Sequence, residues 1–224
     1  MSNNEIKKFT CIVPARAGSA GIKNKNTRII KGRSLIQRAV DLGLALNYNV
    51  ILTTDVRNAL PANYAGRVTI QKRKSGLCTS EAEMQDVLYD VIKEFKLTGP
   101  IVLLQPTSPL RRVSQLKSII DIYLKKLPTL LLSVVEEDRS ILKNYVRLGE
   151  RILPISATEY LFANRQNLPP VYHPNGAFYV FDAQDFLKER FNPKNIELFV
   201  MDNASSLDID DPSDLVRARR HAEN

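Results

Sequence analysis

Residues 14–26 read Pro-Ala-Arg-Ala-Gly-Ser-Ala-Gly-Ile-Lys-Asn-Lys-Asn, between an apolar, β-rich segment at residues 9–13 and an amphipathic helical pattern at residues 34–46. The loop that they form holds two glycines, three cations and several small polar side chains. Small residues let backbone N–H groups approach an anion, and cations neutralise its charge. The loop therefore predicts a polyphosphate site, with an ordinary surface turn carrying solvated lysines as the alternative at this point.

Two familiar phosphate-binding motifs do not fit this loop. The P-loop requires a lysine and a serine or threonine directly after its second glycine. The dinucleotide fingerprint requires three glycines at its own spacing, whereas this loop has only Gly18 and Gly21. A nucleotide that binds here must be held in another way.

Strand and helix patterns alternate along the first 135 residues. Strands are predicted at residues 9–13, 50–53, 67–71, 101–104 and 129–135, and helices at residues 34–46, 80–95 and 113–126. The second helix is expected to open with a capping box at residues 80–83. This alternation is typical of βαβ units, so we predict a single α/β domain over residues 1–224 with a mainly parallel sheet.

The alternation of strand and helix patterns stops at residues 136–174, which contain four prolines and short apolar pairs without a clear period. An unstructured loop of that length is unusual inside a compact domain. We therefore expect a small extended insertion that packs on a partner subunit. Strands are predicted again at residues 175–181 and 196–200, with a short helix between them.

Polar residues follow several of the predicted strands. Thr54 and Asp55 follow the strand at residues 50–53, and Gln-Pro-Thr-Ser-Pro-Leu-Arg follows the strand at residues 101–104 as residues 105–111. The two prolines of that second segment hold it stiff. Ligands of open parallel sheets bind at the carboxyl ends of the strands, so both segments are candidates for the site.

Aspartates near the C-terminal end form the last feature of interest. Asp208 and Asp210 alternate across Ile209, so that in an extended chain both carboxylates can point to one side, as oxygen ligands of a hard cation would. Asp211 precedes Pro212 and is predicted to cap a helix, and Asp214 is assigned to the same helix start. Helix capping is also the alternative for the first two aspartates.

The net charge of +8 and the pI near 9.5 raise the possibility of nucleic-acid binding. The cations are scattered, however, and no arginine-rich tail or aromatic–basic RNA motif is present. An anionic small substrate explains the excess at least as well. Two cysteines without metal-ligand spacing, no signal-peptide core and no membrane-length apolar run favour a cytoplasmic protein with reduced cysteines.

Four ordered blocks together resemble the acylneuraminate cytidylyltransferases, the CMP-sialic acid synthetases. They are residues 12–26, residues 104–111, residues 175–179 and residues 208–210. The resemblance implies a Rossmann-like nucleotidyltransferase fold and a homodimer joined through residues 136–174. It also implies that CMP passes from CTP to the anomeric oxygen of an acidic nine-carbon 2-keto sugar, releasing pyrophosphate, with Mg²⁺ required.

The resemblance also implies roles for individual residues. It assigns CTP contacts to Arg16, Ser19, Lys25, Asn26 and Arg73, with Gln105 beside the nucleotide. It assigns sugar contacts to Gln105, Asn175, Tyr179 and Arg165, with Arg165 acting in its own subunit or reaching in from the partner. It assigns Mg²⁺ to Asp208 and Asp210. Arg16, Lys25, Asp208 and Asp210 would then carry catalysis.

The first loop departs from the family pattern at Ala20, where the family usually has a lysine beside the triphosphate. Lys23 lies three residues later and is a candidate substitute. The departure leaves a second hypothesis open, a degenerate member that binds nucleotide or sugar without turnover. Arg16, Lys25, Gln105 and the aspartate pair favour the enzyme.

Overall fold

A computed structural model describes residues 9–18, 21–191 and 194–223 of the 224-residue chain. The strands are β1 (Thr10–Ala15), β2 (Ile29–Ile30), β3 (Arg33–Ser34), β4 (Asn49–Thr54), β5 (Thr69–Lys72), β6 (Pro100–Leu103), β7 (Leu130–Glu137), β8 (Tyr145–Leu148), β9 (Arg151–Pro154), β10 (Val171–Asp182) and β11 (Ile196–Val200). The α-helices are α1 (Leu35–Leu44), α2 (Met84–Glu94), α3 (Val113–Lys126), α4 (Ala183–Glu189) and α5 (Pro212–Glu223).

The central sheet has seven strands in the order β11-β7-β10-β6-β1-β4-β5. β10 runs antiparallel to both of its neighbours, and the remaining pairs are parallel. The predicted mainly parallel α/β sheet is therefore confirmed. Because β1, β4, β5 and β6 are parallel, the loops that follow them all leave from one edge of the sheet.

Helices cover both faces of the sheet. The apolar stripes of α1 and α3, including Ile36 and Leu116, pack on one face, and those of α2 and α4, including Leu88 and Phe186, pack on the other. A third, smaller cluster joins α5 to the first loop through Ile22, Ile30, Leu35, Leu207, Ile209, Leu215 and Ala218. In the described residues, no helix combines the length and the apolar composition needed to cross a bilayer.

Several predicted boundaries are correct and others are wrong. α3 and β11 match their predicted limits, and Ser34 caps α1 with a reciprocal bond to Gln37. β1 continues through Pro14 to Ala15, because beyond Ile12 the strand pairs only with β4 and a missing N–H is tolerated. β5 lies at Thr69–Lys72 rather than at residues 67–71.

The predicted capping box at residues 80–83 is wrong. α2 begins at Met84, and its N-cap residue Glu83 makes no side-chain capping bond. The preceding residues are used differently, since Thr79 and Ala82 line the cleft described below. A local capping pattern was outweighed by tertiary contacts.

Residues 136–174 hold more structure than their irregular sequence indicated. β8 and β9 form a separate two-stranded antiparallel sheet, short 3₁₀ turns flank it, and β10 begins at Val171. Large apolar side chains are exposed here, among them Tyr145, Leu148, Ile152 and Phe162, of which Phe162 is 92% exposed. Packing of this segment on a partner subunit stays a prediction.

Candidate functional site

A cleft of about 330 Å³ opens at the edge where β1, β4, β5 and β6 end. Its wall contains six of the eleven residues expected at the site: Arg16, Lys25, Asn26, Arg73, Gln105 and Asp210. Positions from the two ends of the chain and from its middle therefore meet in one place. Ser19, another expected contact, and the departure at Ala20 lie outside the described residues.

The first loop begins with a peptide group that is held by two side chains. Asn26 Nδ2 donates to the carbonyl oxygen of Arg16 at 2.9 Å. The N–H of Ala17 donates to Asp55 Oδ1 at 2.7 Å. Asn26 is buried and lies in the 3₁₀ turn at Lys25–Thr27.

The C-terminal acidic segment packs directly against the first loop. Lys25 Nζ donates to the carbonyl oxygen of Ile209 at 2.7 Å and lies 3.2 Å from Asp210 Oδ1. A Cβ atom on Gly21 would stand 2.3 Å from the carbonyl oxygen of Asp210, so only glycine fits there. Ile209 in turn donates its N–H to the carbonyl oxygen of Thr107 at 2.9 Å.

The two aspartates of this segment have different surroundings. Asp208 is partly buried and its Oδ1 atom has no hydrogen-bond partner, whereas the side chain of Asp210 is 80% exposed. Burial raises the pKa of Asp208 and the charge of Asp210 adds to that rise, while a hydrogen bond from Thr107 and the charge of Lys25 oppose it. Asp211 and Asp214 cap α5, as predicted.

The oxygen donors at this point suit Mg²⁺. A buried carboxylate oxygen without a partner requires a positive or hydrogen-bonding group, and Mg²⁺ is commonly bound by one or two carboxylates plus phosphates. Across the described ranges, no group of three or more histidine, cysteine, aspartate or glutamate side chains could hold a metal. A cation bound by this pair would therefore need ligands from the substrate or from water.

Arg73 places a buried guanidinium in the cleft wall. Its main-chain N–H donates to the carbonyl oxygen of Thr54 at 3.0 Å, and its Nη2 donates to that of Thr53 at 3.1 Å. Its Nε atom is buried without a partner. Burial lowers the pKa of Arg73, and Cys78 and Asp55 oppose that effect.

Gln105, Asn175 and Tyr179 were expected at the sugar. Gln105 lines the cleft, and its Oε1 atom lies 3.0 Å from where a Cβ atom on Gly176 would stand. Asn175 is buried, and protein partners already occupy its side chain: Ser133 and the Ala177 N–H on Oδ1, and Ser206 and Met201 on Nδ2. Its amide therefore ties β7 and β10 to the segment that leads to Asp208.

Tyr179 and Arg165 are not among the residues that line the cleft. Tyr179 is partly buried and stacks on Phe191 with ring centroids 6.2 Å apart, and burial followed by the charge of Asp208 raises its pKa. Arg165 is exposed, pairs with Asp138 at 3.1 Å, and lines a separate surface cleft of about 370 Å³. Within one chain, the structure does not bring Arg165 to Gln105.

Asp55 and Arg111 lie beside the site, and the sequence marked both only as members of candidate segments at strand ends, without a role for either. Asp55 holds the first loop, and only its place after a buried strand signalled it. The Nη1 group of Arg111 donates to the carbonyl oxygen of Ala177 at 2.7 Å. Burial lowers the pKa of Arg111 to about 9, and interactions with Cys11 and Asp208 oppose that lowering. Lys23, the candidate substitute for the missing lysine, is exposed and is not among the residues that line the cleft.

The mostly parallel sheet and the cationic cleft at its carboxyl edge are typical of α/β proteins that bind ligands at the ends of their strands. The chain belongs to the cytidylyltransferase family, whose model matches residues 10–208. It is similar in fold to a CMP:2-keto-3-deoxy-manno-octonic acid synthetase complexed with CTP, with a TM-score of 0.71 at 16% identity over 97% of this chain and 100% of that one. The predicted Rossmann-like nucleotidyltransferase fold is thus confirmed.

Curated relatives confirm the resemblance to enzymes that make CMP-activated acidic sugars. An N-acylneuraminate cytidylyltransferase of Streptococcus agalactiae serotype V is 28% identical over 94% of this chain and 52% of its own length. A CMP-N,N'-diacetyllegionaminic acid synthase of Campylobacter jejuni serotype O:2 is 28% identical over 93% of this chain and 92% of its own. The chain therefore spans about half the length of the streptococcal relatives that it matches.

Proposed function

We propose that this chain transfers CMP from CTP to the anomeric oxygen of an acidic nine-carbon 2-keto sugar, releases pyrophosphate and requires Mg²⁺. The observation that carries the proposal is the meeting of Arg16, Lys25 and Arg73 with Asp210 in one cleft at the carboxyl edge of the sheet. Three cations beside a carboxylate pair suit a metal-bound triphosphate better than a neutral ligand. The names of the relatives point to the same substrates.

Nucleotidyl transfer depends on neutralising the triphosphate and on aligning the attacking oxygen, so no covalent nucleophile is needed. Arg16 and Lys25 would neutralise the phosphates from the first loop. Arg73, whose buried Nε lacks a partner, offers a hydrogen-bond donor to the nucleotide. Gln105 offers both a donor and an acceptor to a sugar rich in hydroxyl groups.

Asp208 and Asp210 would hold the Mg²⁺ ion. When bound, Mg²⁺ supplies Lewis-acid polarisation of the phosphate oxygens and neutralises developing charge. Asp208 contributes a carboxylate oxygen that has no protein partner. Burial raises the pKa of Asp208, which favours this carboxylate as a base for taking the proton of the attacking hydroxyl group.

A homodimer joined through residues 136–174 belongs to the same proposal. Tyr145, Leu148, Ile152 and Phe162 are large apolar side chains that this segment exposes, and such exposure favours burial against another chain. Arg165 lies on the same segment and away from its own cleft, so we propose that it serves the sugar of the partner subunit. Mixing inactive Arg165→Ala and Asp210→Ala subunits would then restore part of the activity, because one of the two mixed sites is intact.

The first experiment measures pyrophosphate release from CTP and Mg²⁺ with N-acetylneuraminic, legionaminic and pseudaminic acids and an eight-carbon 2-keto acid. Release with one nine-carbon acid, lost in Asp210→Ala but kept in the α2 surface variant Asp86→Ala, supports the proposal. Release only with the eight-carbon acid would overturn the sugar assignment. CTP binding without turnover on any sugar would favour the degenerate alternative. If the Ala20→Lys variant then showed activity, the lack of turnover would be due to the loss of this one cation.

A further inference from the structure

We propose that Asp55 and Asn26 act together as positioning residues that clamp the Arg16–Ala17 peptide group and so orient Arg16 and the nucleotide loop. The inference rests on the proposed function only in taking CTP as the ligand. It concerns how the loop is held before the ligand arrives.

The clamp consists of two hydrogen bonds to one peptide group. The carbonyl oxygen of Arg16 accepts from Asn26 Nδ2 at 2.9 Å, and the N–H of the same peptide, on Ala17, donates to Asp55 Oδ1 at 2.7 Å. Both polar groups of the peptide are thereby bonded to side chains from different elements. A rotation of this peptide plane would break both bonds, one of them to a charged acceptor.

Asp55 stands on a rigid support beside β1. Thr54 is buried, donates Oγ1 to the carbonyl oxygen of Ala15 at 2.5 Å, and accepts the Val56 N–H on the same oxygen at 3.0 Å. Ala15 and Thr54 are also register partners in the parallel pair of β1 and β4. The end of β4 is thus tied to the end of β1 directly before the clamped peptide.

The same strand end also holds Arg73. The carbonyl oxygens of Thr53 and Thr54 bind Arg73, and the charge of Asp55 opposes the lowering of its pKa. Arg16 and Arg73 lie close enough for their charges to oppose each other. Residues 53–55 therefore position two cleft cations, and Asp55 offsets part of their repulsion.

The clamp should affect the conformation of the nucleotide loop more than the stability of the whole fold. The described part of the loop that follows includes Gly18 and Gly21, and a glycine has no side chain that could restrain its backbone. Fixing the first peptide of the loop reduces the conformations that must be lost when CTP binds. Removal of the clamp should therefore weaken CTP binding more than it weakens the fold.

The test combines two readouts on Asp55→Ala, Asp55→Asn, Asn26→Ala and the double variant Asp55→Ala/Asn26→Ala. Exchange of the Ala17 amide hydrogen, followed by NMR without ligand, reports the clamp itself. Calorimetric titration with CTP reports its effect. Asp182→Ala is the matched control, because Asp182 also accepts a backbone N–H, that of Gln184 at 2.8 Å, at the opposite edge of the sheet.

We expect Asp55→Ala to lose Ala17 protection and to bind CTP about 10-fold to 100-fold more weakly, as for loss of a hydrogen bond to a charged group. Asp55→Asn keeps an acceptor oxygen and should retain most of both properties. The loss of CTP affinity in the double variant should be smaller than the sum of the losses in the two single variants, because both hydrogen bonds hold the same peptide group. Asp182→Ala should lower the melting temperature without changing CTP affinity.

An Ala17 amide that exchanges freely in the wild-type protein would show that the clamp does not form. Unchanged CTP affinity in Asp55→Ala, or a loss of CTP affinity in Asp182→Ala as large as that in Asp55→Ala, would overturn the positioning role. A wild-type protein that protects Ala17 but binds no CTP would instead overturn the proposed function.

Discussion

Lys25 Nζ donates to the carbonyl oxygen of Ile209 at 2.7 Å across a sequence separation of 184 residues. The same nitrogen lies 3.2 Å from Asp210 Oδ1, and the Lys25 side chain is only 15% exposed. The first loop and the C-terminal acidic segment therefore form one unit. Before any ligand binds, the ammonium of Lys25 offsets part of the negative charge of this segment.

Lys25→Ala should lower kcat/KM for CTP by about 100-fold or more, the scale for removing one preorganised donor. It should also lower the free energy of unfolding by about 1–2 kcal/mol, because the carbonyl oxygen of Ile209 loses the hydrogen bond from the Lys25 ammonium group. Steady-state kinetics and urea denaturation measure the two effects. Lys117→Ala, on the exposed face of α3, is the control that should change neither. Wild-type kinetics in Lys25→Ala would contradict its proposed role.

Gly21→Ala should impair activity because the added Cβ atom would meet the carbonyl oxygen of Asp210 at 2.3 Å, which forces the loop and the acidic segment apart. Gly76→Ala is the matched control, since open space surrounds that position and its backbone is unstrained. We expect Gly76→Ala to stay within about 0.5 kcal/mol of the wild-type stability. Parallel assays of pyrophosphate release and thermal melting test the pair. Similar behaviour of the two variants would show that the close approach at Gly21 has no consequence.

Asn175→Ala should lower the free energy of unfolding by about 2–4 kcal/mol, because it removes the shared partner of several buried polar groups and leaves a cavity. Chemical denaturation measures this effect. Asn63→Ala, at an exposed position, should be nearly neutral. A stable Asn175→Ala protein with a raised KM for the sugar alone would instead favour the direct sugar contact expected from the sequence.

Asp208→Asn should abolish turnover yet stabilise the fold at pH 7 in the absence of divalent cations. A raised carboxyl pKa means that the folded protein favours the protonated form, so ionised Asp208 destabilises the fold above its folded pKa. That penalty disappears below the usual pKa of about 3.9, where the group is neutral in both states. The stability advantage of Asp208→Asn should therefore shrink as the pH falls towards 4.

Asp211→Asn should change the stability at pH 7 in the opposite direction from Asp208→Asn. Hydrogen bonds from Ser213 and from the Asp214 N–H lower the pKa of Asp211, so its ionised form stabilises the fold above the unfolded pKa. We expect this variant to be less stable than the wild type at pH 7 and to approach it in acid. Melting temperatures across pH 3–8 compare the two variants. A loss of stability in Asp208→Asn at pH 7 would contradict the burial penalty assigned to Asp208.

The sequence by itself determined the class of fold. Apolar segments alternate with amphipathic helices because each must bury one face in a shared core, and this requirement is visible residue by residue. The limits of α3 and β11 and the Asp211–Pro212 helix start depend on local periodicity and capping, and these predictions were correct. The motif blocks likewise identified five residues that line one cleft, and the family resemblance added Arg73 as a sixth.

Only the tertiary structure decided which partners these residues have. The Arg16–Ala17 clamp, the bond from Lys25 to Ile209 and the close approach of Gly21 to Asp210 join segments that no local pattern connects. The same is true of Asn175, whose amide is occupied by protein groups, and of the residues before α2, which line the cleft and form no capping box. Helix and strand signals act over a few residues, whereas these contacts exist because parallel strands bring distant loops to one edge of the sheet.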